Sequence, residues 1–253
     1  MDATTAADPG SRQDDAVTNP FEQPRPMTSA DLAWVVELAS ARRAVIESFA
    51  PRFWKPAEDS DRTHAAFLGS LIAEPDVLSI RTEHGFLFGM PRPDALVVDD
   101  MAMERDVFWP LDGEELLRAA GQVGRLRFVC PVPELLRASA ATAVGLLVAE
   151  SWWHRDLTQF SSDLPDVVEL GVRVDGAVGR LVPAPPVYAP GGPVLLVTSL
   201  TDPNALSVIE DEAARRGAPV SVVSQEPGDG QLADLLKAAG YKRTTDFYEG
   251  STR

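Results

Sequence analysis

Apolar and polar positions change period several times along the chain. From Leu32 the apolar residues Val35, Val36 and Ala39 recur at helical spacing, with Arg42 and Arg43 in a later turn. Thr28 and Ser29 offer a cap to this first helix and Asp31 adds a carboxylate to its first turn. The helix runs to about Phe49, where Pro51 ends it. The linker PRFWKPAED leads to a second helix from about Asp59 to Glu74, with Ala66, Phe67, Leu71 and Ile72 on one face. VLSIR and FLFGM, joined by Glu83-His84-Gly85, predict a hairpin, and Ala95 to Met103 predicts a longer strand. A short helix then spans about Asp112 to Ala120, and a strand Arg125 to Val132. A helix from Pro133 to about Val144 is closed by Gly145, and a strand ends near Trp153.

The pattern then repeats. ALVVDDMAM, EELLRAAG, RLRFVCPV, PELLRASAATAVGL and VAESWWHRD are answered later by PVLLVTSLT, ALSVIEDEAARRGA, PVSVVSQEP, DGQLADLLKAAGY and TTDFYEG. Both series read strand, helix, strand, helix, strand, and Trp152-Trp153 aligns with Phe247-Tyr248. The second series opens on VVELGVRV, the turn Asp175-Gly176 and AVGRLVPA, without the two opening helices of the first. It reads as a truncated copy, completed by packing on the first. The tip PAPPVYAPGG cannot enter a sheet interior, because proline removes ladder donors, so it is an excursion or an edge. We therefore expect an α/β (α+β) fold: a first domain over 25–160 with a mixed central sheet flanked by helices, and a second partial half over 161–253.

Composition narrows the class. The chain has 253 residues, 45% hydrophobic and 24% charged, which predicts a real core. Residues 1–24 are acidic and proline-containing, with neither the basic start nor the apolar stretch of a signal peptide. They read as a disordered tail. No apolar run is long enough to span a membrane, and a cytoplasmic location is the expectation. The net charge of −15 argues against nucleic acid and suits either a cationic small molecule or a merely self-repelling surface. Cys130, the only cysteine, lies in a predicted buried strand and reads as structural. His64, His84 and His154 lack metal-site spacing, so no metal is expected.

The order of elements resembles the GNAT superfamily of acyl-CoA-dependent N-acetyltransferases. RPMTSADLAWVVELASARR looks like that family's first strand and helix, and AVGL with ESWW, or AAGY with TTDFY, like its closing helix and strand. The resemblance implies a central strand that splays from its neighbour, with a pantetheine arm in the gap and a pyrophosphate on a Gly- and Arg-rich helix start. Acetyl-CoA would be the co-substrate, held by backbone at Met101, Ala102 and Met103, with Arg105 and Gly113 toward the phosphates. The family's phosphate motif is missing: MERDVFWPLDGEELLRAA has one glycine among Asp112, Glu114 and Glu115, and SLTDPNALSVIED has none. Acidic residues stabilise a helix start and repel a polyphosphate.

Candidate chemistry centres on Asp99-Asp100. Aspartate is depleted from strands, and alternation sends the two to opposite faces. The pair reads either as solvated charges at a strand end or, by the resemblance, as a base that deprotonates an attacking ammonium. The second copy offers only Thr198-Ser199 there, so the first copy is the better candidate. Neither closing helix has the tyrosine that the family uses to protonate a thiolate, and Tyr241 reads as packed. Trp54, His64 and Tyr188 are candidates to line an acceptor site. Two functions follow: acyl transfer to a primary amine of a small molecule or peptide, or a non-catalytic GNAT-fold protein that binds a ligand, senses acyl-CoA or makes protein contacts. The two halves imply a monomer with an internal pseudo-dimer, or a homodimer.

Overall fold

The computed structural model describes residues 23–158 and 170–253. The tail reading and the expected domain boundary near residue 160 fall outside them. The elements are β1 (Arg25–Pro26), α1 (Leu32–Phe49), α2 (Ser60–Ala73), β2 (Leu78–Arg81), β3 (Gly85–Pro91), β4 (Leu96–Met103), α3 (Glu114–Gly121), β5 (Leu126–Pro131), α4 (Leu135–Ala143), β6 (Leu147–Asp156), β7 (Leu170–Val174), β8 (Ala177–Val182), β9 (Val194–Leu200), α5 (Ala205–Arg215), β10 (Val220–Gln225), α6 (Gly230–Ala238) and β11 (Lys242–Gly250). Most lie within a few residues of the sequence expectation. Where one short helix was expected to start at Asp112, a 3-10 turn (Asp106–Phe108) and a π turn (Trp109–Gly113) precede α3.

The eleven strands of the described residues form one sheet in the order β1-β2-β3-β4-β5-β11-β6-β10-β9-β8-β7. The element order β4-α3-β5-α4-β6 recurs as β9-α5-β10-α6-β11. The last strand of each series crosses over: β11 pairs with β5, and β6 pairs with β10. Apart from the short β1 at one edge, the order and the parallel pairs β4–β5 and β10–β9 are symmetric about the antiparallel β11–β6 pair. Both closing helices end alike. Gly145 and Gly240 take φ of +94° and +83°, and the next amide bonds back to Ala141 and Leu236.

Strand alternation divides the core. Leu87, Val98, Phe128 and Tyr248 face α3 and α4, whereas Phe86 and Phe88 face α1 and α2. In the second half Leu195, Val197 and Val223 pack under α5 and α6. Their neighbours Val194, Leu196 and Val222 face the other way, where the described residues of the second half supply no helix pair. Phe53, Trp152 and Ala184 cover part of that face instead. The proline tip is tied there: Pro56 bridges Tyr188, Ala57 N–H donates to Val187 at 3.0 Å, and Ala189 N–H to Lys55 at 2.7 Å. It is thus a roof pinned to the linker after α1.

Candidate active site between the two halves

The site forms where β4 leaves its neighbours. β4 pairs with β5 only over Leu96–Val98, against Leu126–Phe128, and then parts from it. Against β3 the register slips: Leu87 faces Met101, Gly89 faces Val98, and Phe88 is left opposite both Asp99 and Asp100. One extra residue in β4 makes a β-bulge. The bulge corrects the expectation from alternation. Asp99 and Asp100 do not go to opposite faces; both turn toward α1 and α2, each bordered by Arg42 and Tyr188.

The two carboxylates have different surroundings. Asp100 takes a hydrogen bond from His64 Nε2 at 3.1 Å. His64 is buried, and its Nδ1 meets the guanidinium of Arg43, which fixes the hydrogen on Nε2. Arg43 in turn pairs with Asp61. Burial works against the Asp100 charge, but the His64 bond and the nearby cations hold its pKa below the usual carboxylate range. Asp99 has no such support. Its carbonyl accepts from Arg42 at 3.4 Å and from Arg137 at 3.1 Å, whereas its carboxylate takes no hydrogen bond from a described residue. Asp99 is exposed, its side chain opening into a cavity whose walls take away part of its hydration. That partial desolvation, with Asp100 beside it, raises the Asp99 pKa.

The cavity holds about 360 Å³. Its walls include Phe53, Trp54, Trp152, Tyr188 and Phe247, and its polar atoms come from Arg42, Asp99, Tyr188 and Thr245. Trp152 and Phe247, matched in the sequence repeat, meet here with ring centroids 4.8 Å apart. Their neighbours Trp153 and Tyr248 serve the opposite, helix-covered face. Desolvation pushes the Tyr188 phenol up to about 12, so it stays a neutral hydrogen-bonding group.

Of the residues singled out in the sequence, Asp99, Trp54 and Tyr188 share this cavity. His64 and Asp100 sit beside it in a small cleft that Tyr188 also lines. Ala102, Met103 and Arg105 border a second hollow, about 560 Å³, on the outer side between α1 and α4. The Met101 side chain is buried under α3 and α4, and its carbonyl points into the gap between β4 and β5. Gly113 lies apart, packed on Trp109, where an added Cβ would come within 2.6 Å of the indole.

The sequence reading missed Arg137. Its guanidinium enters the gap and donates to Val129 O at 3.0 and 2.7 Å, to Met101 O at 2.5 Å and to Asp99 O at 3.1 Å. It also lies over Phe128, 4.4 Å from the ring centroid, and is 0% exposed. Glu134 stands at the mouth, bonded to Arg42 Nε at 2.9 Å and Nη2 at 3.1 Å. A signal was available: Arg137 precedes the buried Ala140, Ala141 and Val144 at helical spacing, on the stripe that must face the sheet. A CoA thioester arm in this gap would need the space and the carbonyls that Arg137 uses, and the acidic start of α3 disfavours its phosphates. The residues present do not fit that group. Among the described residues, no cluster of His, Cys, Asp and Glu could hold a metal ion, and no helix is long and apolar enough to cross a membrane.

No family model matches the sequence, and no curated protein does. Solved structures do. A proposed acetyltransferase from Thermoplasma acidophilum aligns with a TM-score of 0.56 at 11% identity, over 91% of this chain and 99% of its own. A proposed acetyltransferase from Pyrococcus horikoshii gives 0.50 at 13% identity, over 94% and 92%. A GCN5-related N-acetyltransferase from Sphaerobacter thermophilus gives 0.50 at 11%, over 91% and 95%. At such identity the likeness speaks to the fold. The fold is that of the GNAT-type acetyltransferases, the family that the order of elements resembles.

Proposed function

We propose that this GNAT-fold protein binds a small organic amine in the cavity between its halves, with Asp99 as the counter-ion. One observation carries the reading: the Asp99 carboxylate, without a hydrogen-bond partner among the described residues, faces an aromatic-walled cavity. The chemistry that satisfies it is an ammonium on an apolar body. The ammonium pairs with Asp99, and the ring faces add cation–π attraction of about 0.5–2 kcal/mol. The volume suits a molecule with one ring system and a short arm. The excess of acidic residues draws cations toward the surface.

A second reading is acyl transfer to that amine, with Asp99 as the base. The parting of β4 from β5 and the raised proton affinity of Asp99 favour it. It requires the space that Arg137 fills.

The first reading is tested by calorimetry with tryptamine and with its neutral isostere 3-ethylindole. Tryptamine should bind and 3-ethylindole should bind far more weakly. Asp99→Asn should cost the amine about tenfold to a hundredfold in affinity, the worth of a charge-assisted hydrogen bond. Affinity should also fall as acid protonates Asp99. Equal binding of the neutral compound, or an Asp99→Asn variant that binds as well as the wild type, contradicts the assignment.

A further inference from the structure

We propose that Arg137 is a built-in ligand: its guanidinium permanently occupies the gap between β4 and β5 and closes the protein to acyl-CoA. The parting of the strands leaves the carbonyls of Asp99, Met101 and Val129 without ladder partners. Buried carbonyls need donors. In this chain α4 supplies them all from one side chain, a planar fork whose several N–H groups suit acceptors on both strands. Phe128 and Trp109 complete the cradle, with ring centroids 4.4 and 5.4 Å from the guanidinium carbon.

The outer end is sealed separately. Arg42 spans from α1 to Glu134 and also reaches the Asp99 carbonyl. Among the described residues it alone borders both the aromatic cavity and the outer hollow, so it forms the wall between them. Burial opposes the Glu134 charge, yet Arg42 and Arg137 hold its pKa low, and the seal stays ionic. An arm entering from the outer hollow would break this pair, evict Arg137 and leave a guanidinium without its acceptors. The cost of an unpaired buried charge opposes every one of those steps. The outer hollow is therefore a dead end, and ligand enters from the cavity side alone.

This inference stands on the plug and not on the amine reading, because its readout is the difference between Arg137→Ala and the wild type: an ammonium bound at Asp99 would shift both proteins alike. Full-length wild type and Arg137→Ala are melted with acetyl-CoA, pantetheine, ethylguanidinium or ethylammonium at millimolar concentration. Wild type should show no concentration-dependent rise in Tm with acetyl-CoA or pantetheine. Arg137→Ala should melt lower and recover with ethylguanidinium, which refills the hole, and not with ethylammonium. A specific rise of the wild type with acetyl-CoA overturns the proposal, as does an Arg137→Ala variant indifferent to ethylguanidinium. Should Arg137→Ala fail to fold, Arg137→Lys replaces it: the shorter point charge reaches fewer carbonyls, so its Tm should fall clearly below that of the wild type, and a lysine variant as stable as the wild type counts equally against the plug.

Discussion

Arg137→Ala is expected to lower the free energy of unfolding by about 3–5 kcal/mol, the range for removing one partner from a buried charged network. The side chain has no solvent exposure and donates to three carbonyls. Truncation leaves those acceptors buried and takes one of two cations from Glu134. Burial does have a cost, visible in the Arg137 pKa, which desolvation and the neighbouring Arg42 push down to about 10. The net loss is therefore smaller than the sum of the bonds. Arg137→Met separates the contributions: it keeps most of the volume and none of the donors. Urea denaturation should place Arg137→Met between wild type and Arg137→Ala. A loss below about 1 kcal/mol for Arg137→Ala would mean that the strands close the gap without it.

The second large effect is an acid-dependent loss of stability from His154. Its ring is buried, stacked on Phe53 at 5.2 Å, and its Nδ1 has no hydrogen-bond partner. Burial drives its pKa from 6.5 down to about 4, with Asp156 opposing the shift and Lys242 adding to it. The unfolded chain takes up the proton near pH 6.5 and the folded chain near pH 4. Stability should thus be full above pH 6.5 and fall by about 3 kcal/mol on the way to pH 4, at 1.36 kcal/mol per pH unit. The low-pKa carboxylates Asp100 and Glu134 act on the same side but lose their contribution mainly below this window. His154→Phe should flatten the stability profile between pH 6.5 and 4.5, and an unchanged slope would contradict a buried neutral imidazole.

Much of the architecture was legible because it is local. The periods of α1 and α2, the hairpin at Glu83-His84-Gly85 and the glycine caps at Gly145 and Gly240 each depend on a short stretch of sequence. The repeat was legible for the same reason. The crossing of β6 and β11 was not, because two strands of similar alternation satisfy either partner until the whole sheet is assembled. The orientation of Asp99 and Asp100 failed likewise. A bulge belongs to the register between β3 and β4, and neither strand displays it alone. Tyr241 is packed as its place after the cap glycine suggested, with its hydroxyl bonded to Ser221 and to the buried Glu210.

The cavity was half legible. Trp54 and Tyr188 stand out in the sequence beside proline-rich stretches, and the roof that joins them is a contact between distant segments. Trp152 and Phe247 were matched as repeat partners, but only the exchanged strands bring their rings together. The Arg137 plug lies in plain helical register but is hard to read from sequence, because an arginine in a helix is ordinarily a surface residue.

A thiol-release assay addresses the central claim most directly. Acetyl-CoA is mixed with the full-length protein and saturating tryptamine, and free thiol is followed with an aromatic disulfide reagent. The protein's own thiol adds little, since Cys130 is buried and its pKa is pushed up to about 12. A closed gap predicts release no faster than spontaneous hydrolysis. Continuous release that requires the amine and disappears in Asp99→Asn would contradict it.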